Sequence, residues 1–349
     1  MGNTKLTIGI LVWNGEKYLP ALFESLKKQT WQDFEIIVVD NASSDGSKEI
    51  LRFAQDDRQW MRLVHNPTNV GFTAGHNQIF ALSQSPYHLV LNQDIYLEPD
   101  CLEKLVGFMD ARVDAAAVGP KLLKWAPTPS ALRATPPCLP AGRLEAGGDN
   151  IDSLGLKVLR SRRVIDIKRP ISYQLKAKSS EEVFGVSGAC ALYRRGAIES
   201  IGGLFDENFF AYKEDVDLAY RIASAGGKSF VLSDAVGYHN RTGADSGQAS
   251  DYAQAQNKTN QSRSIKYYSY RNHLITLFKN EYWQNLIIDL PWILWYELKK
   301  FGYFLLFDRA VLAGLEDIWH RRQGIKKQRA RIKKLRKLDW KEMRKIIYA

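Results

Sequence analysis

The sequence predicts an α/β protein in which a mostly parallel sheet lies between helices, with a helical extension toward the C-terminus. Three observations predict it. Short apolar runs alternate with helix-spaced apolar residues through the first hundred positions. The short runs are apolar at nearly every position, so both faces of those strands must be covered, as in a parallel sheet. From Ile265 onward the pattern is helical and rich in aromatic residues.

Leu6–Val12 predicts a buried strand, and Tyr18, Leu19, Leu22 and Leu26 then recur at helical spacing. Glu35–Asp40 predicts the second strand, followed by the turn cluster Asn41–Ser47 and a short helix. Met61–His65 predicts the third. A Gly-rich turn leads into a helix near Ala74–Ser83 and then the strand Tyr87–Asn92. Asp100 and Glu103 have the spacing of a capping box for the next helix. Ala126–Asn150 holds five of the 12 prolines and is expected to be a long loop. Glu214 opens a helix that ends at Gly226-Gly227, with Leu218 and Ile222 on its buried face. Asn240–Ser264 is polar and is expected to be mobile. Leu286–Phe307 is strongly apolar, but Asp289, Glu297, Lys299 and Lys300 interrupt it, so it is not expected to span a membrane. In parallel sheets ligands sit at the C-terminal ends of the strands, where Asp40 and Asn92-Gln93-Asp94 fall.

At 349 residues the chain is long enough for about two domains. With 45% hydrophobic and 25% charged residues it is neither a disordered chain nor a fibre. Its three cysteines, Cys101, Cys138 and Cys190, lack CxxC spacing and fit a reducing compartment. The first residues lack the apolar core of a secretory signal, so none is expected. Charge is uneven. Residues 321–349 hold 13 Lys and Arg against 2 Asp and Glu, so they carry the whole net +11 and the first 320 residues are neutral. Such a tail suits a polyanion, either nucleic acid or an anionic membrane.

The specific signal lies in a series of short blocks. They are Val38-Val39-Asp40-Asn41-Ala42-Ser43-Ser44-Asp45-Gly46-Ser47, Asn69-Val70-Gly71-Phe72-Thr73-Ala74-Gly75-His76-Asn77 and Leu91-Asn92-Gln93-Asp94. Further on come Ser187-Gly188-Ala189-Cys190, Gly202 to Phe210, Glu214-Asp215-Val216-Asp217 and Asp234 to His239. In this order they resemble the family-2 glycosyltransferases of the Rossmann-like GT-A fold, and most the bacterial rhamnosyltransferase branch. Ile151-Asp152-Ser153-Leu154-Gly155-Leu156 resembles a segment of that branch more loosely.

The resemblance implies an inverting transferase that uses a nucleotide-sugar donor. Asp40 would accept a hydrogen bond from N3–H of a uracil or thymine base; a plain strand-end turn residue is the alternative. Asp45 is expected to be a helix cap. Asn69, Gly71 and Gly75 would let the backbone approach the donor. Where relatives carry Asp-x-Asp, this chain has Asn92-Gln93-Asp94, so Asp94 would be the main carboxylate on a divalent metal, Mg or Mn, with His239 as a further ligand. Asp215 matches the family's general base. Its place at a helix N-terminus favours the ionised form. Glu214 and Asp217, three apart on that helix, are candidates for acceptor contacts or support.

The implied donor is dTDP-β-L-rhamnose, with a UDP-hexose or UDP-galactofuranose as alternatives. The implied acceptor is a lipid-linked cell-surface glycan. Three segments are expected: a catalytic domain over 1–245, a helical aromatic-rich extension over 246–320 and a basic amphipathic tail over 321–349. The tail is expected to lie on an anionic membrane, making the protein cytoplasmic and peripheral on the inner face of the cell membrane. The rival is a non-catalytic polyanion binder. No RNA-binding motif appears, so no nucleic-acid partner is expected.

Overall fold

The computed structural model describes residues 4–56, 61–125, 151–168, 179–240 and 262–348. The expected loop 126–150 and nearly all of the expected mobile segment 240–264 lie outside the described residues.

The strands are β1 (Leu6–Val12), β2 (Phe34–Asp40), β3 (Met61–His65), β4 (Tyr87–Asn92), β5 (Ile95–Leu97), β6 (Ala115–Lys124), β7 (Ile151–Ser153), β8 (Leu156–Val158), β9 (Val164–Asp166), β10 (Ser180–Val183), β11 (Cys190–Arg194) and β12 (Lys228–His239). The main sheet runs β10-β12-β6-β11-β4-β1-β2-β3, with β5 on β12 and β7 on β6. β3, β2, β1 and β4 are parallel, as are β6 and β12. β11 runs antiparallel between β4 and β6, a feature the sequence pattern did not reveal. Leu6, Ile8, Ile10, Ile36, Val38, Leu89 and Leu91 are fully buried in the core on one sheet face, while Ile37, Val39 and Ile79 pack on the other.

Helices α1 (Leu19–Lys27), α2 (Ser47–Asp56), α3 (Phe72–Leu82), α4 (Cys101–Ala111), α5 (Arg195–Ser200) and α6 (Glu214–Ser224) cover the sheet. α4 starts where expected, but the capping box does not form. Asp100 pairs with Lys104 at 2.6 Å, and Glu103 accepts from Thr30 at 2.6 Å. Asp45 does serve the start of α2, accepting the Ser47 N–H at 3.1 Å.

Among the described residues five α-helices follow: α7 (Arg263–Asn280), α8 (Trp283–Ile288), α9 (Leu290–Phe307), α10 (Ala313–Leu335) and α11 (Trp340–Tyr348). Among the described residues no helix is long and apolar enough to cross a membrane. The basic tail differs from the expectation. Residues 320 and 321 fall inside one continuous helix, α10, and the tail's apolar residues Ile325, Ile332, Met343 and Ile347 are buried in the protein. Its arginines are used internally as well. Arg336 donates to the Asn280 carbonyl at 2.6 Å, and Arg329 donates to the carbonyls of Phe278 and Glu281. These guanidinium groups satisfy the C-terminal carbonyls of α7 and complement its dipole.

Candidate active site

β1 and β4 lie side by side, so the loop after Val12 meets the turn after Asn92. Gln93 ties the two together. Its Nε2 donates to the Trp13 carbonyl at 3.1 Å, and its Oε1 accepts the Trp13 N–H at 3.0 Å. Gly15 admits this bridge, because a Cβ there would stand 2.5 Å from Gln93 Oε1. The Gln93 amide thus holds backbone. Asn92 is different: its Oδ1 is buried with no hydrogen-bond partner among the described residues, and a buried orphan acceptor calls for a ligand, ion or water.

β12 ends at His239, in register with Ile95, and so beside Asp94. His239 Nε2 is 3.5 Å from Asp94 Oδ2, and its Nδ1 is 2.8 Å from Asp152 Oδ2. Burial opposes charge on this imidazole, but hydrogen bonds to Asp152 and Asp94 outweigh it and hold its pKa up at about 9. Asp152, fully buried on β7, was missed as a site residue. The available signal was the loose resemblance around Ile151–Leu156. Its carboxylate orients the ring so that Nε2 faces Asp94, the arrangement that a carboxylate on the other ring nitrogen gives to metal-binding histidines.

Two donors sharing one divalent ion, each at about 2.1 Å from it, lie about 3–4 Å apart. Asp94 Oδ2 and His239 Nε2 fit that separation. Among the described residues no group of three or more His, Cys, Asp and Glu is arranged to hold an ion alone. Diphosphate oxygens and water would have to complete the shell, as they commonly do for Mg²⁺.

The other side of the site begins at the loop before β11. The Asn92 N–H donates to the Ala189 carbonyl at 2.9 Å, and the Gly188 N–H donates to Asp215 Oδ2 at 3.3 Å. Two adjacent residues therefore link the end of β4 to the head of α6. Asp215 Oδ1 also accepts the Val216 N–H at 2.8 Å. Burial pushes the Asp215 carboxyl up, Lys213 and the Gly188 N–H oppose this, and Asp166 on β9 adds to the rise. Desolvation therefore works against the helix N-terminus, which alone favoured an ordinary ionised carboxylate. Glu214 beside it is 9% exposed, its Oε2 has no partner among the described residues, and burial with the Asp215 charge raises its pKa to about 8. Asp217 points elsewhere. It is fully buried, accepts from Asn280 Nδ2 at 2.7 Å and pairs with Lys279 at 3.0 Å and Arg221 at 3.1 Å. It clamps α6 to α7 and is no candidate for contact with an acceptor.

The approach to α6 is unusual backbone. Phe210, Tyr212 and Lys213 all have positive φ, between 63° and 71°, a conformation that is disfavoured for such residues and recurs near functional sites. α7 holds it in place. Asn272 Nδ2 donates to the carbonyls of Phe209, Ala211 and Tyr212 at 2.8–2.9 Å, and Arg271 donates to those of Asn208 and Phe209. The sequence pattern marked neither Arg271 nor Asn272, because nothing local distinguishes them from other polar residues on a helix.

On the donor side, Asp40 is buried at the end of β2. It accepts the Ser43 N–H at 3.1 Å and lies 3.2 Å from His65 Nδ1. Asn69 Oδ1 accepts from Asn41 Nδ2 at 2.8 Å and from the Gly71 N–H at 2.9 Å, so it builds the turn. Gly71, at φ 88°, admits Phe210, whose ring would lie 2.5 Å from a Cβ. Gly75 admits Leu11 of β1 at 2.4 Å. Both glycines thus admit close packing within the protein. A separate cavity of about 310 Å³, lined by Asn77, Phe205, Arg221, Lys279 and Gln328, lies under the C-terminal helices.

A family model described as glycosyl transferase family 2 matches residues 7–202. An N-acetylglucosaminyl-diphospho-decaprenol L-rhamnosyltransferase from Mycobacterium tuberculosis is 26% identical over 260 residues, covering 69% of this chain and 78% of that protein. Among solved structures, GalNAc-T7 with UDP, GalNAc and Mn²⁺ superposes with TM-score 0.57 at 14% identity, over 78% of this chain and 47% of that one. A mannosyltransferase from Pyrobaculum calidifontis with GDP-Man and Mn²⁺ superposes with TM-score 0.50 at 14% identity, over 95% and 85%.

Proposed function

This chain belongs to glycosyl transferase family 2 and is a glycosyltransferase, and we propose that it moves L-rhamnose from dTDP-β-L-rhamnose to a hydroxyl of a lipid-linked glycan with inversion at the anomeric carbon. The observation that carries this reading is the convergence at the end of β4. Asp94 and His239 stand on one side of it, and the Gly188–Asp215 contact stands on the other. A nucleotide sugar lying across that edge would have its diphosphate at the first pair and its anomeric carbon toward Asp215.

In this reading Asp215 takes the proton from the acceptor hydroxyl as that oxygen attacks the face opposite the diphosphate. Asp94 and His239, the latter once the cation has displaced its Nε2 proton, would hold a divalent cation, which when bound supplies positive charge to the leaving diphosphate. Asp152 keeps His239 oriented for that task. The partly desolvated Asp215 is a stronger base than an exposed aspartate.

The decaprenol-linked acceptor in the mycobacterial relative's name supports a polyprenyl-diphosphate acceptor here. The test is transfer from dTDP-rhamnose, UDP-hexoses and UDP-galactofuranose to N-acetylglucosaminyl-diphospho-polyprenol, each with Mn²⁺, Mg²⁺ or EDTA. Rhamnosyl product that requires the metal is the expected result. Product from a UDP-sugar alone would reassign the donor, and full activity after metal stripping would remove the cation from the scheme.

A further inference from the structure

α9 is built inside out for a helix facing water. Two of its three charged residues turn toward the protein: Glu297 Oε1 lies 2.7 Å from His273 Nε2, and the Lys300 ammonium sits over the rings of Tyr270 and Tyr296 at 4.9 and 5.0 Å. Ile293 and Phe304 are buried on that same inner side. The outward stripe is Leu294, Trp295, Leu298, Phe301 and Leu305, 37–65% exposed. This reverses the order that water imposes on a surface helix. α8 extends the face with Trp283 at 62% and Ile287 at 61%, and the end of α9 adds Leu306 and Phe307 at 73% each. An apolar surface of this extent marks contact with something other than water.

Its surroundings identify the partner. The Arg160 guanidinium stacks on Trp292 at 3.4 Å and Lys299 sits over Trp295 at 5.5 Å. The basic helix α11 borders the face, since Asn285 donates to the Trp340 carbonyl at 2.9 Å and Arg344 pairs with Asp289 at 2.7 Å. It presents exposed Lys341 and Lys345. The nearby carboxylates of Asp289 and Asp308 are turned inward and paired. Tryptophans edged by cations match the headgroup layer of a bilayer. A two-fold contact between copies would instead set this basic rim against itself.

We propose that α8 and α9 lie in the headgroup layer of an anionic lipid leaflet, their apolar face toward the acyl chains and the exposed lysines of α11 on the anionic headgroups. This moves lipid contact from the tail, whose Ile325, Ile332, Met343 and Ile347 are buried, to the aromatic helices. It rests on this face alone and is independent of the donor reading.

The experiment is flotation of the full chain with vesicles of phosphatidylcholine and phosphatidylglycerol, against phosphatidylcholine alone, with tryptophan quenching by brominated acyl chains. The wild-type protein is expected to float with the anionic vesicles and to be quenched. Trp295→Glu with Leu298→Glu should lower the bound fraction about tenfold or more, because both charges would enter the apolar layer. These positions are exposed, so an unchanged melting temperature is expected. Lys341→Glu with Lys345→Glu should reduce the preference for anionic over neutral vesicles. Absence of wild-type flotation and quenching, or flotation unchanged by the Trp295/Leu298 variant, overturns the proposal. So does a wild-type dimer that this variant turns into a monomer, which would assign the face to a second copy.

Discussion

At the residue scale the functional weight falls on Asp215. Asp215→Asn keeps the shape and one of the two backbone contacts, since its amide nitrogen cannot accept an N–H, and loses the proton acceptor. Turnover is expected to fall by about 10²–10⁴-fold with donor affinity nearly unchanged, checked by steady-state kinetics and donor titration. Its neighbour Asp166 raises its pKa, so Asp166→Asn should move the acid limb of the kcat/KM–pH profile to lower pH. An unmoved limb would remove either the coupling or the base. Glu214 gives a second, independent readout. Its folded pKa of about 8 lies above the ordinary glutamate value of 4.5, so the folded state binds more protons between those values. Its contribution to stability is complete below about pH 4.5 and is lost as pH rises toward about 8, at no more than about 1.4 kcal/mol per pH unit. Glu214→Gln should therefore gain melting temperature over wild type progressively from pH 5 to 8.

At the element scale the clamp of α7 on the segment before α6 decides how Asp215 is presented. Asn272→Ala removes the amide shared by the carbonyls of Phe209, Ala211 and Tyr212, of which that of Phe209 keeps Arg271. The stability loss is expected to be about 1–3 kcal/mol. A fall in kcat of about tenfold with little change in donor KM is also expected, because a base displaced by a fraction of an ångström loses alignment. Thermal unfolding and kinetics on the same sample check both. A stability loss with unchanged kcat would make Asn272 structural only. The legibility of the two sides of the site differs for the same reason. Asp94 and Asp215 stand in short motifs at an element end, where local spacing exposes them. Asp152, Arg271 and Asn272 reach the site from distant segments through tertiary contact.

At the scale of the whole molecule the C-terminal helices are part of one structure with the sheet. Ile325, Ile332, Met343 and Ile347 are buried, and burial of such side chains contributes about 1.5–3 kcal/mol each. Their loss together is of the order of 6–12 kcal/mol, comparable to the stability of a whole domain, about 5–15 kcal/mol. Deleting Arg321–Ala349 is therefore expected to unfold or aggregate the protein rather than release a soluble active enzyme. Circular dichroism and size-exclusion chromatography of the truncated chain check this. A folded, active truncation would show that the tail is a detachable anchor after all.

The sequence by itself determined the α/β class, the parallel block from β1 to β4 and the strand-end position of Asp40 and Asn92–Asp94. It also determined the helix that carries Asp215. Each of these follows from local periodicity or from a motif within a few residues. Tertiary structure alone decided the antiparallel insertion of β11, the use of Gly71 and Gly75 for internal packing, and the diversion of Asp217 to Lys279 and Asn280. It also decided the fate of the two apolar C-terminal stretches. Hydrophobic periodicity states that a helix has an apolar face, but not what covers it. Packing buried the face of the basic tail and left that of α9 turned outward.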